Sequence, residues 1–167
     1  MRIRPARPDD ATLLPAIERS AAQSFTVIDC LAWLARHDVL SLEQHLGFIA
    51  SGLLWVAVDG DDQPCGFLCA SAQGGDLYIE ELSVARPHQG RGLGRQLLKH
   101  AEHRARASGY KALSLTTFAA VPWNAPFYAR LGFQRLEARQ ASAFLHEQLR
   151  HEQARGLPDR CAMRKVL

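Results

Sequence analysis

The chain has 167 residues and a formal net charge of +3, a size that fits one domain over residues 1–167 and a charge too mild to argue for nucleic acid. Apolar residues make up 47% and charged residues 22%, which excludes global disorder and allows a core without disulfide staples. The N-terminus MRIRPARPDD has no apolar run of signal-peptide length, and no stretch approaches the roughly 20 apolar residues of a membrane span. A cytoplasmic protein is therefore expected.

In chain order, residues 2–6 read as a short strand, and Pro8-Asp9-Asp10 opens a helix that Asp9 or Asp10 can cap. Leu13, Leu14, Ile17 and Ala21 follow at helical spacing. A second helical region runs from Asp29 to Phe48, broken near His37-Asp38. Leu53–Val58 and Cys65–Ser71 flank the turn Gly60-Asp61-Asp62 as a hairpin. After Gly74-Gly75, residues Leu77–Val84 form a strand that Pro87 ends. Gly92–Ser108 is an amphipathic helix with Leu93, Leu97, Leu98, Ala101 and Ala105 on one side, closed by Gly109. Ala112–Phe118 is a strand, Trp123–Leu131 a short helix, Phe133–Glu137 a strand, Ala141–Arg155 a helix and Cys161–Leu167 a final strand. The order β-α-α-β-β-β-α-β-α-β-α-β indicates an α+β or α/β sandwich around one mixed sheet.

Cys30, Cys65, Cys69 and Cys161 form no CxxC pair and no zinc spacing, so no metal is expected. Packing is the expected role of Cys65 and Cys69, four apart on one strand face. Reduced thiols fit a cytoplasmic compartment.

The chemistry concentrates in Glu80–Lys99, EELSVARPHQGRGLGRQLLK. A strand stops, three glycines follow at positions 90, 92 and 94, and a helix begins among them. Glycine permits left-handed angles and close ligand approach. A helix N-terminus offers unpaired N–H groups and partial positive charge. Together with Arg91 and Arg95 this makes a phosphate site. The segment is not GxxxxGK[ST], and a GxGxxG reading fails because Arg95 stands three after Gly92.

Val84, Pro87, Gln89, Gly90, Gly92, Gly94, Leu97 and Leu98 together resemble the cofactor motif of the GNAT superfamily of N-acetyltransferases. Phe127-Tyr128-Ala129-Arg130-Leu131-Gly132-Phe133 resembles its second signature. The resemblance implies a single-domain GNAT-like fold: a central, mostly antiparallel sheet with one splayed parallel strand pair and helices on both faces. It implies acetyl-CoA as cosubstrate, lying between Leu77–Val84 and Ala112–Phe118. The backbone of Leu82, Ser83 and Val84 would pair with the pantetheine arm. Amides of Gln89, Gly90, Arg91, Gly92, Leu93, Gly94 and Arg95 would hold the pyrophosphate. Tyr128 would protonate the leaving thiolate, with Asn124 and Phe127 as further cofactor contacts. Many family members carry an Asn seven residues before this tyrosine. Val121 stands there instead, and Asn124 has helix capping as its alternative role.

An amine must be neutral to attack a thioester, so a base is required. Glu80 and Glu81 are the candidates, on opposite faces of their strand. Parity puts Glu80 with Leu82 and Val84, which favours Glu80. Solvated strand carboxylates are the plain alternative for both. Glu80, Glu81 and Asp76 suggest a cationic small-molecule acceptor: an amine, polyamine or amino acid. Phe25, Trp33, His37, Trp55, Tyr78 and Phe118 are candidates either to line its site or to fill the core. A protein or peptide N-acetyltransferase and a non-catalytic acyl-CoA sensor are the alternatives. A homodimer is left open.

Overall fold

The structure is a computed structural model that describes all residues from Met1 to Leu167. The strands are β1 (Arg2–Pro5), β2 (Leu54–Val58), β3 (Pro64–Gln73), β4 (Asp76–Val84), β5 (Ala112–Phe118), β6 (Gln134–Arg135) and β7 (Arg160–Val166). The helices are α1 (Leu14–Ala22), α2 (Leu42–Ala50), α3 (Leu93–Ala107), α4 (Ala125–Ala129) and α5 (Ala143–Ala154). The strand order is β1-β2-β3-β4-β5-β7-β6. The β4–β5 pair is parallel, whereas β1–β2, β2–β3, β5–β7 and β6–β7 are antiparallel. This is the expected mixed sheet. No helix is long and apolar enough to cross a membrane. By contacts the chain divides into two compact units, Met1–Ser71 with Glu80–His103, and Ala72–Ile79 with Arg104–Leu167.

In the first unit every residue of β2 is buried, the signature of a strand covered on both faces. Leu54, Val56, Val58, Phe67 and Cys69 from the strands meet Leu14 and Ile17 of α1 in one core cluster. Each such side chain contributes roughly 1.5–3 kcal/mol on full burial. Cys65 and Cys69 are buried free thiols, as expected, and Cys30 is exposed. The second helical region is shorter and tighter than its apolar pattern suggests. Asp29–Arg36 is 3₁₀-helical, as is Gln23–Val27. The chain leaves helix at His37, near the expected break. A new helix starts at Leu42 because Ser41 and Gln44 form a capping box, Gln44 N–H donating to Ser41 Oγ at 3.2 Å and Ser41 N–H to Gln44 Oε1 at 2.8 Å.

Asp10 caps its turn, as expected, by accepting the backbone N–H of the N-cap residue Arg7, and it also takes a buried arginine. Its carboxylate accepts Arg4 Nη1 at 2.7 Å, Arg4 Nη2 at 3.0 Å and the Arg7 N–H at 2.7 Å. Arg4 Nε also donates to Asp62 Oδ1 at 2.9 Å. Burial resists ionisation of Asp10, but the Arg4 hydrogen bonds prevail and hold its carboxyl below the usual carboxylate range. His45 of α2 is fully buried, neither ring nitrogen has a hydrogen-bond partner, and the ring stands edge-on to Phe67 at 5.1 Å. Burial lowers its pKa, so it is a neutral core residue.

In the second unit β5 pairs with β7 from Ala112↔Val166 to Phe118↔Arg160. Tyr78, Leu145 and Ala162 are its buried cluster, with Leu136, Phe144 and Leu149 against them. Thr116 Oγ1 lies 3.0 Å from Tyr78 Oη and donates to Glu152 Oε1 at 2.5 Å. Glu152 also takes two hydrogen bonds from Arg160, whose guanidinium stacks over Phe118. α4 is shorter than expected, starting only after Pro122 and Asn124 with a Pro inside its first turn, and β6 keeps only two residues. α5 begins where Ser142 Oγ accepts the Leu145 N–H at 3.2 Å.

Asp10→Ala leaves Arg4 charged and buried without its main partner, and a loss of about 3 kcal/mol is expected in urea unfolding. The Asp10 contribution is present above the ordinary carboxylate pKa and lost as pH falls through its depressed folded value. His45 behaves as a base with a depressed folded pKa. It carries no pH-dependent penalty above about pH 6.5, and stability is lost below that, where only the unfolded chain is protonated. In His45→Leu the fall in urea midpoint between pH 7 and 5 is expected to shrink.

Candidate active site

β4 ends at Val84, and a 3₁₀ turn over Arg86–His88 carries Pro87. Gln89 is extended, and Gly90 and Gly92 follow with φ of 74° and 77°. A Cβ at either glycine would meet nothing within 4 Å. The glycines are therefore required for their left-handed backbone, and the space beyond them is open. α3 is anchored beneath by buried Leu93, Leu97 and Leu98. Its ladder starts with Gln96 N–H donating to Gly92 O at 3.1 Å, so the amides of Leu93, Gly94 and Arg95 precede the ladder. Arg91 and Arg95 are exposed. A helix N-terminus, two left-handed glycines and two solvated cations make a donor set that a phosphate group, a pyrophosphate included, would fit.

Gln89 does more than offer a backbone amide. Its Nε2 donates to Val84 O at 3.0 Å, and its Oε1 accepts Ser24 Oγ at 3.1 Å. Arg86 N–H donates to Ser20 Oγ at 3.0 Å. The turn is thus tied to the end of α1 and the segment that follows it. Sequence reading missed both ties, because Ser20 and Ser24 stand more than sixty residues away. The end of β4 is also shaped from below. A Cβ on Gly66 of β3 would lie 3.0 Å from Ser83 O and 3.1 Å from Val84 Cγ2, so only glycine lets β4 press this close.

The two candidate bases separate as their parity requires. Glu80 is exposed, and its carboxylate accepts Ser71 Oγ at 2.6 Å. Partial burial raises its pKa and the Ser71 hydroxyl opposes the rise. Glu81 is half-buried and accepts Ser83 Oγ at 2.7 Å, on the face where Ser83 is buried. Sequence reading missed Glu18 of α1. Its Oε2 accepts the Leu40 N–H at 3.1 Å. Burial, and then the charge of Glu81, push its carboxyl up to about 8, with Leu40 and Arg19 opposing. The only sequence signal was an acidic residue directly after the core position Ile17. Asp76 is unavailable to an acceptor cation, because Arg164 grips it at 2.6 and 2.8 Å.

In the second unit Tyr128 of α4 is buried, with ring centroids of Phe127 at 5.2 Å and Phe133 at 5.6 Å. Asn124 holds the position before the helix, but its side chain caps nothing. Its Oδ1 is buried with no hydrogen-bond partner, which overturns the capping role and leaves an acceptor atom unexplained. Val121 is buried. Trp55, Tyr78 and Phe118 are buried and so fill the core.

Residues 16–133 match the family model described as Acetyltransferase (GNAT) family. The chain belongs to the GNAT acetyltransferase family. N-alpha-acetyltransferase 80 of Mus musculus is 44% identical over 73 residues, covering 44% of this chain and 22% of that protein. Streptothricin acetyltransferase of Streptomyces lavendulae is 38% identical over 88 residues, covering 50% of this chain and 46% of that protein. The matches thus span less than half the length of either relative. Among solved structures, the PaiA N-acetyltransferase of Thermoplasma acidophilum in complex with coenzyme A has a TM-score of 0.72 at 17% identity, over 99% of this chain and 98% of that one. The GNAT fold therefore extends over essentially the whole chain.

Gly66→Ala must push the Ser83–Val84 backbone aside. An overpacking loss of about 1–3 kcal/mol is expected in urea unfolding, together with shifted backbone resonances at Ser83 and Val84.

Proposed function

We propose that this protein is an acetyl-CoA-dependent N-acetyltransferase acting on a primary amine of a small molecule. The observation that carries this reading is the phosphate cradle at the end of β4, directly preceded in the same strand by Glu80 and Glu81. In it the amides of Gln89 to Arg95, with the charges of Arg91 and Arg95, hold the pyrophosphate of the cosubstrate. The backbone of Leu82, Ser83 and Val84 pairs with its pantetheine arm in the manner of an added strand. That reading is supported by the extent of the parallel ladder, which runs only from Asp76↔Ala112 to Tyr78↔Ser114 while β4 continues to Val84. Bound acetyl-CoA supplies an activated acyl group as a thioester.

The chain's own residues supply the rest. Carboxylates on β4 attract a cationic amine and take its proton. The N–H groups of β4 stabilise charge on the thioester oxygen. Tyr128 donates its hydroxyl proton to the departing thiolate, and the unpaired Asn124 Oδ1 accepts a hydrogen bond from the bound cosubstrate. Holding amine and thioester together contributes the large orientational part of the rate. The acidic strand favours a small cationic acceptor, such as a polyamine or the amino group of an amino acid.

Thiol release from acetyl-CoA is expected with at least one member of a panel of amines and amino acids. Tyr128→Phe should lower kcat by about 10²-fold or more, with little change in acetyl-CoA affinity measured by calorimetry. Turnover confined to peptides would move the acceptor to a protein, as the name of the mouse relative suggests for that protein. Acetyl-CoA binding without turnover on any acceptor would make the chain a sensor.

A further inference from the structure

The contacts of β4 with β3 show which way its last backbone groups face. Ala85 N–H donates to Cys65 O at 2.9 Å, and Ser83 O lies 3.0 Å from where a Cβ on Gly66 would stand. Backbone groups alternate in direction along a strand. Those of Leu82 and Val84 therefore turn to the opposite edge, the one proposed for the pantetheine arm. One of them is already taken, because Gln89 Nε2 donates to Val84 O at 3.0 Å. The side chain reaches back five residues and gives Val84 O the kind of donor that an added strand would supply. A glutamine amide donates at one end and accepts at the other. A carbonyl oxygen only accepts, so the NH₂ end must face Val84 and Oε1 must face away. Ser24 Oγ donates to that Oε1 at 3.1 Å. Four residues earlier, Ser20 Oγ accepts the Arg86 N–H at 3.0 Å. The end of α1 and the segment after it thus hold the turn on both sides of Pro87, and all these residues belong to the first unit. Gln89 is exposed, and fixing a long exposed side chain at both ends costs rotamer entropy. Backbone amides alone would hold a phosphate, so the doubly held side chain has a separate task.

We infer that the Gln89 side chain is a register stop for the cosubstrate arm, and that Ser24 is the positioning residue that holds it. This deepens the acetyl-transfer reading and rests on it. An extended arm added to a strand edge can slip, because successive backbone groups offer it equivalent partners. With Val84 O closed, the Leu82 groups and the Val84 N–H are what this end of the strand offers, and the arm's amides settle on them. The stop therefore sets how deep the thioester reaches along β4 toward Glu80 and Glu81. A misplacement of about 1 Å at reacting atoms can cost on the order of 100-fold in rate. Neither Gln89 Nε2 nor Ser24 touches the reacting atoms. Gln89→Glu sets an acceptor against the Val84 carbonyl and so opens the stop, and Ser24→Ala frees the amide to turn away.

The test compares wild type, Ser24→Ala, Ser24→Thr and Gln89→Glu with the best amine of the panel and two donors, acetyl-CoA and S-acetylpantetheine, which has the arm but no pyrophosphate. Ser24→Ala should lower kcat/KM about tenfold and Gln89→Glu about 100-fold, by the same factor with either donor and with little change in acetyl-CoA affinity by calorimetry. Ser24→Thr keeps the hydroxyl donor and should restore the wild-type rate. Loss of acetyl-CoA affinity with S-acetylpantetheine turnover unaltered would mean that the ties only steady the pyrophosphate turn, and it overturns the stop while leaving the acetyltransferase reading intact. A second measurement needs no turnover. The Gln89 side-chain amide ¹H–¹⁵N signals should be those of a hydrogen-bonded amide in the free protein, should persist with acetyl-CoA bound, and should move toward solvent values in Ser24→Ala. Their loss on acetyl-CoA binding shows the arm taking Val84 O and overturns the stop. A wild-type protein that binds acetyl-CoA and turns over no amine overturns the acetyl-transfer reading alone, and the amide signals then decide the stop.

Discussion

The working end of this molecule depends on one constraint: the backbone of β4 must run straight from a closed ladder into an open cradle. Its last register partner on β5 is met at Tyr78, yet strand geometry persists to Val84. Such a continuation requires support from elsewhere, because backbone donors and acceptors are costly to leave unmatched. Gly66 permits the close approach of β3 beneath Ser83 and Val84. Ala85 N–H donates to Cys65 O at 2.9 Å, and the Gln89 amide returns to Val84 O. With the strand end fixed, the left-handed Gly90 and Gly92 set the direction in which α3 departs, and therefore where its N–H groups point.

Electrostatics in the first unit follow from the same placement. The Arg4–Asp10 pair is buried but satisfied from several sides, by the Arg7 amide and by Asp62. It therefore stabilises the N-terminal strand against the helix rather than performing chemistry. Glu18 is the opposite case, a carboxyl that burial, and then the charge of Glu81, push up to about 8. Its Oε2 accepts the Leu40 N–H. His45 shows a third solution, a titratable group kept neutral by burial alone.

The second unit contributes rigidity around Tyr128. The tyrosine ring is wedged between Phe127 and Phe133, and Phe133 N–H returns to Tyr128 O at 3.2 Å. Few rotamers remain open to a ring held on two sides. The chain Tyr78–Thr116–Glu152–Arg160 ties β4, β5, α5 and β7 by hydrogen bonds. A fully paired network of this kind specifies the register of those elements.

Much of this was legible in the sequence because it is local. The Pro87 stop, the alternating glycines and the apolar stripe Leu93, Leu97, Leu98 act within a few residues, and so set the glycine turn and the helix behind it. The cysteines, the break near His37 and the sheet strands were readable for the same reason. In Asp29–Phe48 the break was legible, but not the 3₁₀ geometry of Asp29–Arg36 or the restart at Leu42 through the Ser41–Gln44 box. Only tertiary structure could decide the long-range pairings. It gave Asp76 to Arg164, turned Asp10 toward Arg4, left Asn124 Oδ1 without a partner, and brought the Leu40 N–H to Glu18. Such pairings depend on which faces meet after the core has packed, and side-chain period alone carries no information about the partner across the gap.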